Sequence, residues 1–266
     1  MSITVLIHSS KTMRCPVPTR SATTPLLIDR ARLLATYLQK LTTQQLQTSM
    51  NISEPLSRKV HGTLTAWNTK PDQQSLAVDS FVGHIYSGLR ASTLSERDRD
   101  YAQQTLRILS GLYGILRPYD GVRPYRLEMG YKLPDQSFSS LYKYWGSAIA
   151  ETIPKEGLII NLSSAEYTMT VMPYIDSTRV VAPRFLTINP KTGEPSQVIV
   201  HTKIARGAFA RWLMISRISS PSEMLQFNDL NYYYDAALST PLEPTFVCKT
   251  FGGIGLSMRL QKHKEI

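Results

Sequence analysis

Two short apolar runs separated by a pair of glycines occupy residues 106–118, and they constrain the local fold more than any other feature of the sequence. The first run ends at Gly111 and the second begins at Gly114, with two residues between the glycines and Pro118 after the second run. Glycine adopts φ values that other residues resist, and two short helices joined by such a turn form a hairpin. Outward-facing N–H groups of the turn bind phosphate oxygens. The stretch therefore predicts a helix-hairpin-helix-like element. The alternative is a helix–turn–helix corner packed in an ordinary core.

The charge of the chain favours a polyanionic partner. The 266 residues carry a formal net charge of +10, and the isoelectric point is about 9.6. An excess of this size attracts polyanions over a long range. Several basic side chains lie around the glycine pair, namely Arg107, Arg117, Arg123 and Arg126. We therefore expect a nucleic-acid partner, held without sequence preference through its backbone.

Composition predicts an ordinary globular protein. Hydrophobic residues make up 42% of the chain, and no apolar run approaches the ~20 residues of a membrane span. We expect a single domain over residues 1–250, a cytoplasmic location and no membrane partner. Residues 251–266 mix glycine with basic residues and predict a disordered basic tail. The two cysteines, Cys15 and Cys248, are far apart and indicate a reducing compartment.

Apolar runs of strand length alternate with longer amphipathic stretches. Strands are predicted at residues 2–8, 80–86, 157–162, 179–182, 184–188 and 197–202. Helices are predicted at residues 24–39, 42–50, 52–67, 95–108, 141–153 and 205–218. A turn at residues 189–193 would join two antiparallel strands, so the sheet should be mixed. The predicted fold class is mixed α/β (α+β), with one sheet, surrounding helices and the hairpin element.

Lys11 and two glutamates are the candidates for chemistry. Lys11 lies in a Ser-Lys-Thr cluster just after the first predicted strand, a position suited to holding a phosphate or carboxylate. Glu128 and Glu166 each lie in a polar cluster near an aromatic residue, where a carboxylate can serve as a general base. For Glu128 the alternative is an ion pair with a nearby arginine.

The sequence predicts no metal site and no cofactor. The histidines show no ligand spacing; they are His8, His61, His84, His201 and His263. Two distant cysteines cannot form a metal site by themselves. A P-loop, a dinucleotide-binding fingerprint and a nucleophile elbow are all missing from the sequence.

Several blocks of the sequence are shared with a known family. The strongest block is Leu-Arg-Ile-Leu-Ser-Gly-Leu-Tyr-Gly-Ile-Leu-Arg-Pro at residues 106–118, continued by Pro-Tyr-Arg-Leu-Glu-Met-Gly at 124–130. Supporting blocks lie at residues 10–12, 161–167 and 203–207. With these blocks the chain resembles the YaaA peroxide-stress protein family, and the resemblance covers residues 3–249.

The resemblance implies a cytoplasmic protein that protects cells during hydrogen peroxide stress and is associated with limiting free iron. It also implies a mixed α/β body with a helix-hairpin-helix element and a basic, DNA-binding cleft. Nucleic-acid-binding candidates are Lys11, Arg107, Gly111, Gly114, Arg117, Arg126, Lys203 and Arg206. The family carries no firmly attached enzymatic activity. Three positions that are commonly acidic in it are His84, Ser147 and Ala165 here, which weakens any catalytic role that rests on those acids.

The sequence is therefore consistent with two functions, and binding is favoured over catalysis. One is a DNA-binding stress protein; the alternative is a glycosylase-like or lyase-like enzyme that uses Lys11, Glu128 or Glu166. Iron handling has the least chemical support, because no ligand cluster is visible. We expect one cleft to contain Lys11, Arg126, Glu128, Glu166 and Arg206, the alternative being a buried ion-pair network. Neither the oligomeric state nor the preferred DNA structure follows from the sequence.

Overall fold

The computed structural model of the protein describes residues 2–18 and 20–253. Its strands are β1 (Ile3–His8), β2 (Thr12–Met13), β3 (Ser75–Leu76), β4 (Phe81–Val82), β5 (Leu106–Ser110), β6 (Gly114–Leu116), β7 (Gly121–Val122), β8 (Leu158–Asn161), β9 (Val180–Val181), β10 (Arg184–Ile188), β11 (Pro195–Ser196), β12 (Tyr233–Tyr234) and β13 (Thr245–Cys248).

Helices pack around these strands. They are α1 (Ile28–Leu38), α2 (Thr43–Met50), α3 (Glu54–Thr65), α4 (Ala77–Ser80), α5 (His84–Leu89), α6 (Glu96–Thr105), α7 (Leu141–Trp145), α8 (Ala148–Glu151), α9 (Ala165–Thr168), α10 (Ile199–Ser216) and α11 (Pro221–Met224). Single 3₁₀ turns lie at Pro71–Gln73, Ala91–Thr93, Met172–Tyr174, Ser177–Arg179, Asp229–Asn231 and Ala236–Leu238.

The main sheet has the order β6-β5-β1-β8-β9. Strand β1 is central and runs parallel to β5 and β8, whereas β6 is antiparallel to β5. All six residues of β1 are buried, as expected for a parallel strand covered on both faces. The sheet is therefore mixed and the fold is α+β, which confirms the predicted class. The strands predicted at residues 2–8 and 157–162 are confirmed as β1 and β8.

A second mixed sheet has the order β11-β10-β13-β12. Helix α10 packs against it through an aromatic cluster in which Phe185, Phe209 and Phe246 contact one another, with ring centroids 5.5–5.6 Å apart. This packing fixes helix α10 relative to strand β10. The charged side chains of α10 that lie outside this cluster are therefore also held in fixed positions.

The predicted helix-hairpin-helix-like element at residues 106–118 is wrong. Strands β5 and β6 form a β-hairpin there, in which Ser110 pairs with Gly114. The first apolar run is only five residues long and buried throughout, which is typical of a core strand. Gly114 has φ of +70°, so one of the two glycines does provide the turn. The hairpin is part of the core, and residues 111–116 are all buried.

Four other predicted elements are corrected. The helix predicted at 95–108 ends at Thr105, because β5 begins at the next residue. The helix predicted at 141–153 is interrupted at Gly146, whose φ is +50°. The strands predicted at 80–86 and 197–202 are mostly helical, since α5 and α10 begin within them. Their apolar runs are too short for periodicity to separate strand from helix.

Helices α5 and α10 approach each other closely at two glycines. A Cβ atom added to Gly207 would lie 1.8 Å from the carbonyl oxygen of Ile85, and one added to Gly88 would lie 2.0 Å from that of Ile204. Only glycine permits backbones to come this near. The contact places α5 beside the middle of α10, and Tyr86 of α5 reaches His8 at the end of β1.

Two further predictions concern membrane spans and the C-terminal tail. Within residues 2–18 and 20–253, every helix is too short or too polar to cross a lipid bilayer. The predicted disordered tail at 251–266 lies almost wholly outside the described residues.

Candidate functional site

A pocket of about 550 Å³ opens where strand β1 ends. We call it the strand-end pocket. It is lined by residues 8–12, 82–86 and 164–167, together with Glu128 and Lys203. The carboxyl ends of the parallel strands β1 and β8 both lead into it, which is where open α/β sheets bind ligands. Its volume is within the range of small-molecule and nucleotide sites.

Lys11 and Glu128 form an ion pair at this pocket. The Nζ atom of Lys11 lies 2.8 Å from Oε2 of Glu128, and the two side chains are 55% and 20% exposed. The sequence anticipated an arginine as the partner of Glu128, and the structure shows a lysine. Because Lys11 is more than half exposed, this pair is not part of a buried network. Its ammonium group is accessible to a ligand in the pocket.

Glu166 has a different environment. Its Oε1 atom accepts a hydrogen bond from the backbone N–H of Gly130 at 2.8 Å. This bond connects the start of helix α9 to the segment that carries Glu128. Glu128 and Glu166 thus line the pocket from two different segments, and the hydrogen bond to Glu166 holds these segments together.

His8 is an uncharged residue at the floor of the site. The backbone N–H of Ser164 donates to Nδ1 of His8 at 3.2 Å, so the ring proton resides on Nε2. The ring stacks on Tyr167 with centroids 4.9 Å apart. Burial, followed by the charges of Arg206 and Lys203, lowers the pKa of His8 to about 3. His8 therefore offers a hydrogen-bond donor that carries no charge at neutral pH.

Hydroxyl groups fix this floor. Tyr86 donates from its phenol to the carbonyl oxygen of His8 at 2.9 Å. Ser9 donates to the phenol of Tyr167 at 3.3 Å, and burial raises the pKa of that phenol. Ser10 donates to the carbonyl oxygen of Val82 at 2.7 Å, which ties the Lys11 loop to the segment before helix α5.

The remaining wall is formed by His84 and Lys203. Burial and the charge of Lys203 lower the pKa of His84. The Nδ1 atom of His84 is buried and has no hydrogen-bond partner among the residues that the structure describes. Lys203 comes from helix α10, whose position is fixed by the glycine contact with α5. The pocket therefore combines two ammonium groups, two carboxylates and two imidazoles.

Other predicted binding residues lie away from this pocket. Arg107 is buried and donates to the carbonyl oxygens of Gln103 and Leu106. Arg117 pairs with the fully buried Asp120 at 2.8 Å. Both guanidinium groups contact the protein's own backbone or core, as do the buried glycines of the β-hairpin.

Arg126 and Arg206 are close to the site without lining it. Arg126 lies beside Tyr131, where its charge opposes the effects of burial and Glu128 that raise the pKa of this phenol to about 12. Arg206 lines a neighbouring cavity that includes Ser163. Of the five residues expected in one cleft, the structure brings together Lys11, Glu128 and Glu166.

Two residues of this site are not indicated by the sequence pattern. His8 and His84 lack the spacing of metal ligands, yet both line the strand-end pocket. The signal for His8 was its position as the last residue of a buried strand, beside the Ser-Lys-Thr cluster. Within the described ranges, no cluster of three or more His, Cys, Asp or Glu side chains is arranged to hold a metal ion.

Comparison with known proteins identifies the family of the chain. The family model described as "Peroxide stress protein YaaA" matches residues 3–238. A "UPF0246 protein" from Salinispora tropica is 54% identical over 257 residues, which covers 96% of this chain and 97% of the relative. The family model spans most of the chain, and the 54% identity to this relative is well above the level that a shared fold alone requires. The chain therefore belongs to the YaaA peroxide stress protein family.

Proposed function

We propose that this protein binds DNA during peroxide stress and that the strand-end pocket receives one nucleotide of the bound strand. The observation that carries this proposal is the position of Lys11 and Lys203. They come from a loop and a helix that are distant in sequence, and both line the same pocket at the end of β1. Two lysines on one concave surface can hold a phosphate group between them.

The ion pair between Lys11 and Glu128 would balance the charge of the pocket until a phosphate binds. Glu128 neutralises Lys11 at 2.8 Å when no ligand is bound. An incoming phosphate would compete with this carboxylate for the ammonium group. The net charge of +10 supplies the long-range attraction, while the pocket supplies the contact. The cytoplasmic location expected from the sequence is part of this proposal.

The hairpin at residues 106–118 has no part in the proposed binding. It is a buried β-hairpin, so its backbone N–H groups are not presented to a ligand. The proposed contact with DNA is therefore at the pocket and not at the glycine turn. His8 would donate from Nε2 to a base or sugar oxygen without adding charge.

A second candidate function is catalysis on a nucleic acid or nucleotide. The observation that favours it is the same ion pair, because a lysine amine with an adjacent carboxylate can act as a nucleophile with a general base. Glu128 would accept the proton that Lys11 must lose. This candidate requires that a bond in the bound DNA is broken, which binding alone does not.

One variant separates the two candidates. Glu128→Gln keeps the shape of the side chain and removes the charge that competes with phosphate. Glu156→Gln removes the same charge from an exposed loop away from the pocket and is the matched control. Retention of duplex, bulged and single-stranded DNA would be measured at about 50 and 200 mM salt, together with any strand or base release.

The DNA-binding proposal expects Glu128→Gln to bind several-fold more tightly than Glu156→Gln, with no product formed. Equal affinities for the two variants, or no DNA binding by the wild type at low salt, would contradict it. Product formed by the wild type and lost in Glu128→Gln would instead support the enzyme.

A further inference from the structure

A second cavity lies beside the strand-end pocket. It has a volume of about 430 Å³ and is lined by residues 182–186 and 195–197, with Asn161, Ser163, Thr202, Arg206 and Glu243. We call it the arginine pocket, after Arg184 and Arg206. Ser163 connects the two pockets, because its hydroxyl lies 3.2 Å from Nδ1 of His8.

Arg206 has no counter-charge in the described part of the protein. Its Nε atom is buried without a hydrogen-bond partner, and no carboxylate of residues 2–18 or 20–253 pairs with its guanidinium group. Arginine remains protonated even where burial lowers its pKa. A partly buried cation without a partner is costly unless an anion from solution compensates it.

The rest of the lining suits an oxyanion. Arg184 is exposed at the rim and contributes a second guanidinium group. Such a group can donate two parallel hydrogen bonds to the oxygens of one phosphate. Asn161 and Gln197 add amide side chains. The single acid of the lining is Glu243, which is exposed. With two guanidinium groups and one carboxylate, the lining carries a net positive charge.

Helix α10 links this cavity to the strand-end pocket. Lys203 lines the strand-end pocket and Arg206 lines the arginine pocket. Residues three apart on a helix are neighbours, with roughly 5–6 Å between their Cβ atoms. One strand of a nucleic acid can therefore place neighbouring phosphates on both side chains.

We propose that the arginine pocket is a phosphate subsite, in which Arg206 and Arg184 hold a phosphate group next to the nucleotide in the strand-end pocket. The nature of the natural ligand rests on the proposed function, since a DNA phosphate is its expected source. A free phosphate or phosphate monoester would be bound by the same chemistry. The experiment must therefore distinguish a phosphate held here from one held by Lys11.

The first arm titrates the full-length protein with inorganic phosphate, monitored by calorimetry or NMR. Arg184→Ala tests the exposed cation, and Arg206→Gln with Arg206→Lys tests the buried one. Lys191→Ala, which removes a charge from the exposed turn between β10 and β11, is the matched control. We expect phosphate affinity to fall roughly tenfold or more in Arg184→Ala and Arg206→Gln, less in Arg206→Lys, and not in Lys191→Ala. Because Arg184 is exposed, its variant remains informative if the Arg206 variants unfold.

Unchanged phosphate affinity in Arg184→Ala and in a folded Arg206 variant would overturn the subsite. Loss of phosphate binding in Lys11→Ala but not in Arg184→Ala would also overturn it, because the phosphate would then occupy the strand-end pocket.

The second arm repeats the series with single-stranded DNA. Loss of phosphate binding in the arginine variants, with no DNA binding by the wild type, would keep the subsite and reject the proposed function. DNA binding that depends on Lys11 and is unaffected by Arg184→Ala would do the reverse.

Discussion

The environment of His8 predicts a specific loss of stability in acid. In the folded protein the pKa of His8 is lowered to about 3, by burial first and then by the charges of Arg206 and Lys203. An unfolded chain would bind the proton near the ordinary value of about 6.5. Above that value neither state is protonated, so His8 has no effect on stability there.

The sign and the size follow from this difference. Between about pH 6.5 and pH 3 the unfolded state binds a proton that the folded state cannot, so the free energy of unfolding falls as the pH falls. Each pH unit in this window costs about 1.4 kcal/mol. From pH 7 to pH 5 His8 alone should therefore cost about 2 kcal/mol. The pKa values of His84 and His201 are shifted in the same direction, so the total loss should be larger.

Urea unfolding at pH 7, 6 and 5, followed by circular dichroism, measures this loss. His8→Asn keeps an acceptor for the N–H of Ser164 and removes the titrating ring, so the loss between pH 7 and 5 should shrink by about 2 kcal/mol. His61→Asn, on helix α3, is the control and should retain the loss seen in the wild type. The reasoning is refuted if His8→Asn and the wild type lose the same free energy over this range.

Two close contacts give further predictions. Gly207→Ala should cost about 3 kcal/mol or more in the free energy of unfolding, because its Cβ would lie 1.8 Å from a backbone oxygen of α5. The control Gly62→Ala, on α3, has no described atom within 4 Å of its added Cβ and should be neutral or slightly stabilising; equal effects of the two variants would contradict the packing. Gly114→Val should cost about 2–5 kcal/mol, since it combines a φ of +70° with overlap on Trp145. Gly193→Val has a similar φ and no neighbour within 4 Å among the described residues, so it should cost only about 1–3 kcal/mol, and a larger loss there would refute the overlap.

The parts of the site that could be predicted from the sequence lie at strand ends. Strand β1 is an apolar, β-branched run with a polar cluster directly after it, so both the strand and the position of Lys11 follow from the pattern. The same holds for β8 and the segment that carries Glu166. Because the carboxyl ends of parallel strands lie at one edge of a sheet, the side chains of Lys11 and Glu166 line the same pocket.

The β-hairpin at residues 106–118 shows where pattern reasoning fails. A run such as β5, buried on every side, has no periodicity that separates strand from helix. The glycine pair does mark a turn, with Gly114 at a φ of +70°, but a turn joins strands as well as helices. Strand β5 pairs with β6 on one side, where Ser110 lies opposite Gly114, and with β1 on the other, and β1 is about 100 residues away in the sequence.

The side chains of helix α10 give a second example. Helical spacing predicts that Lys203 and Arg206 are neighbours, and they are. Which cavity each one faces depends on the close approach of α5 and on the second sheet, and neither of these is visible in the local sequence. The sequence therefore placed Arg206 in the cleft with Lys11, whereas the structure places it in the arginine pocket.

The salt dependence of DNA binding tests the central proposal most directly. Affinity of the wild type for a short duplex and for a single strand would be measured between about 50 and 200 mM salt and plotted as log affinity against log salt concentration. Lys203→Gln should reduce the magnitude of the slope by about one, because one phosphate contact is lost. Lys155→Gln, on an exposed loop, should leave the slope of the wild type unchanged. Identical slopes for all three proteins, or an affinity that does not depend on salt, would contradict the placement of DNA at the strand-end pocket.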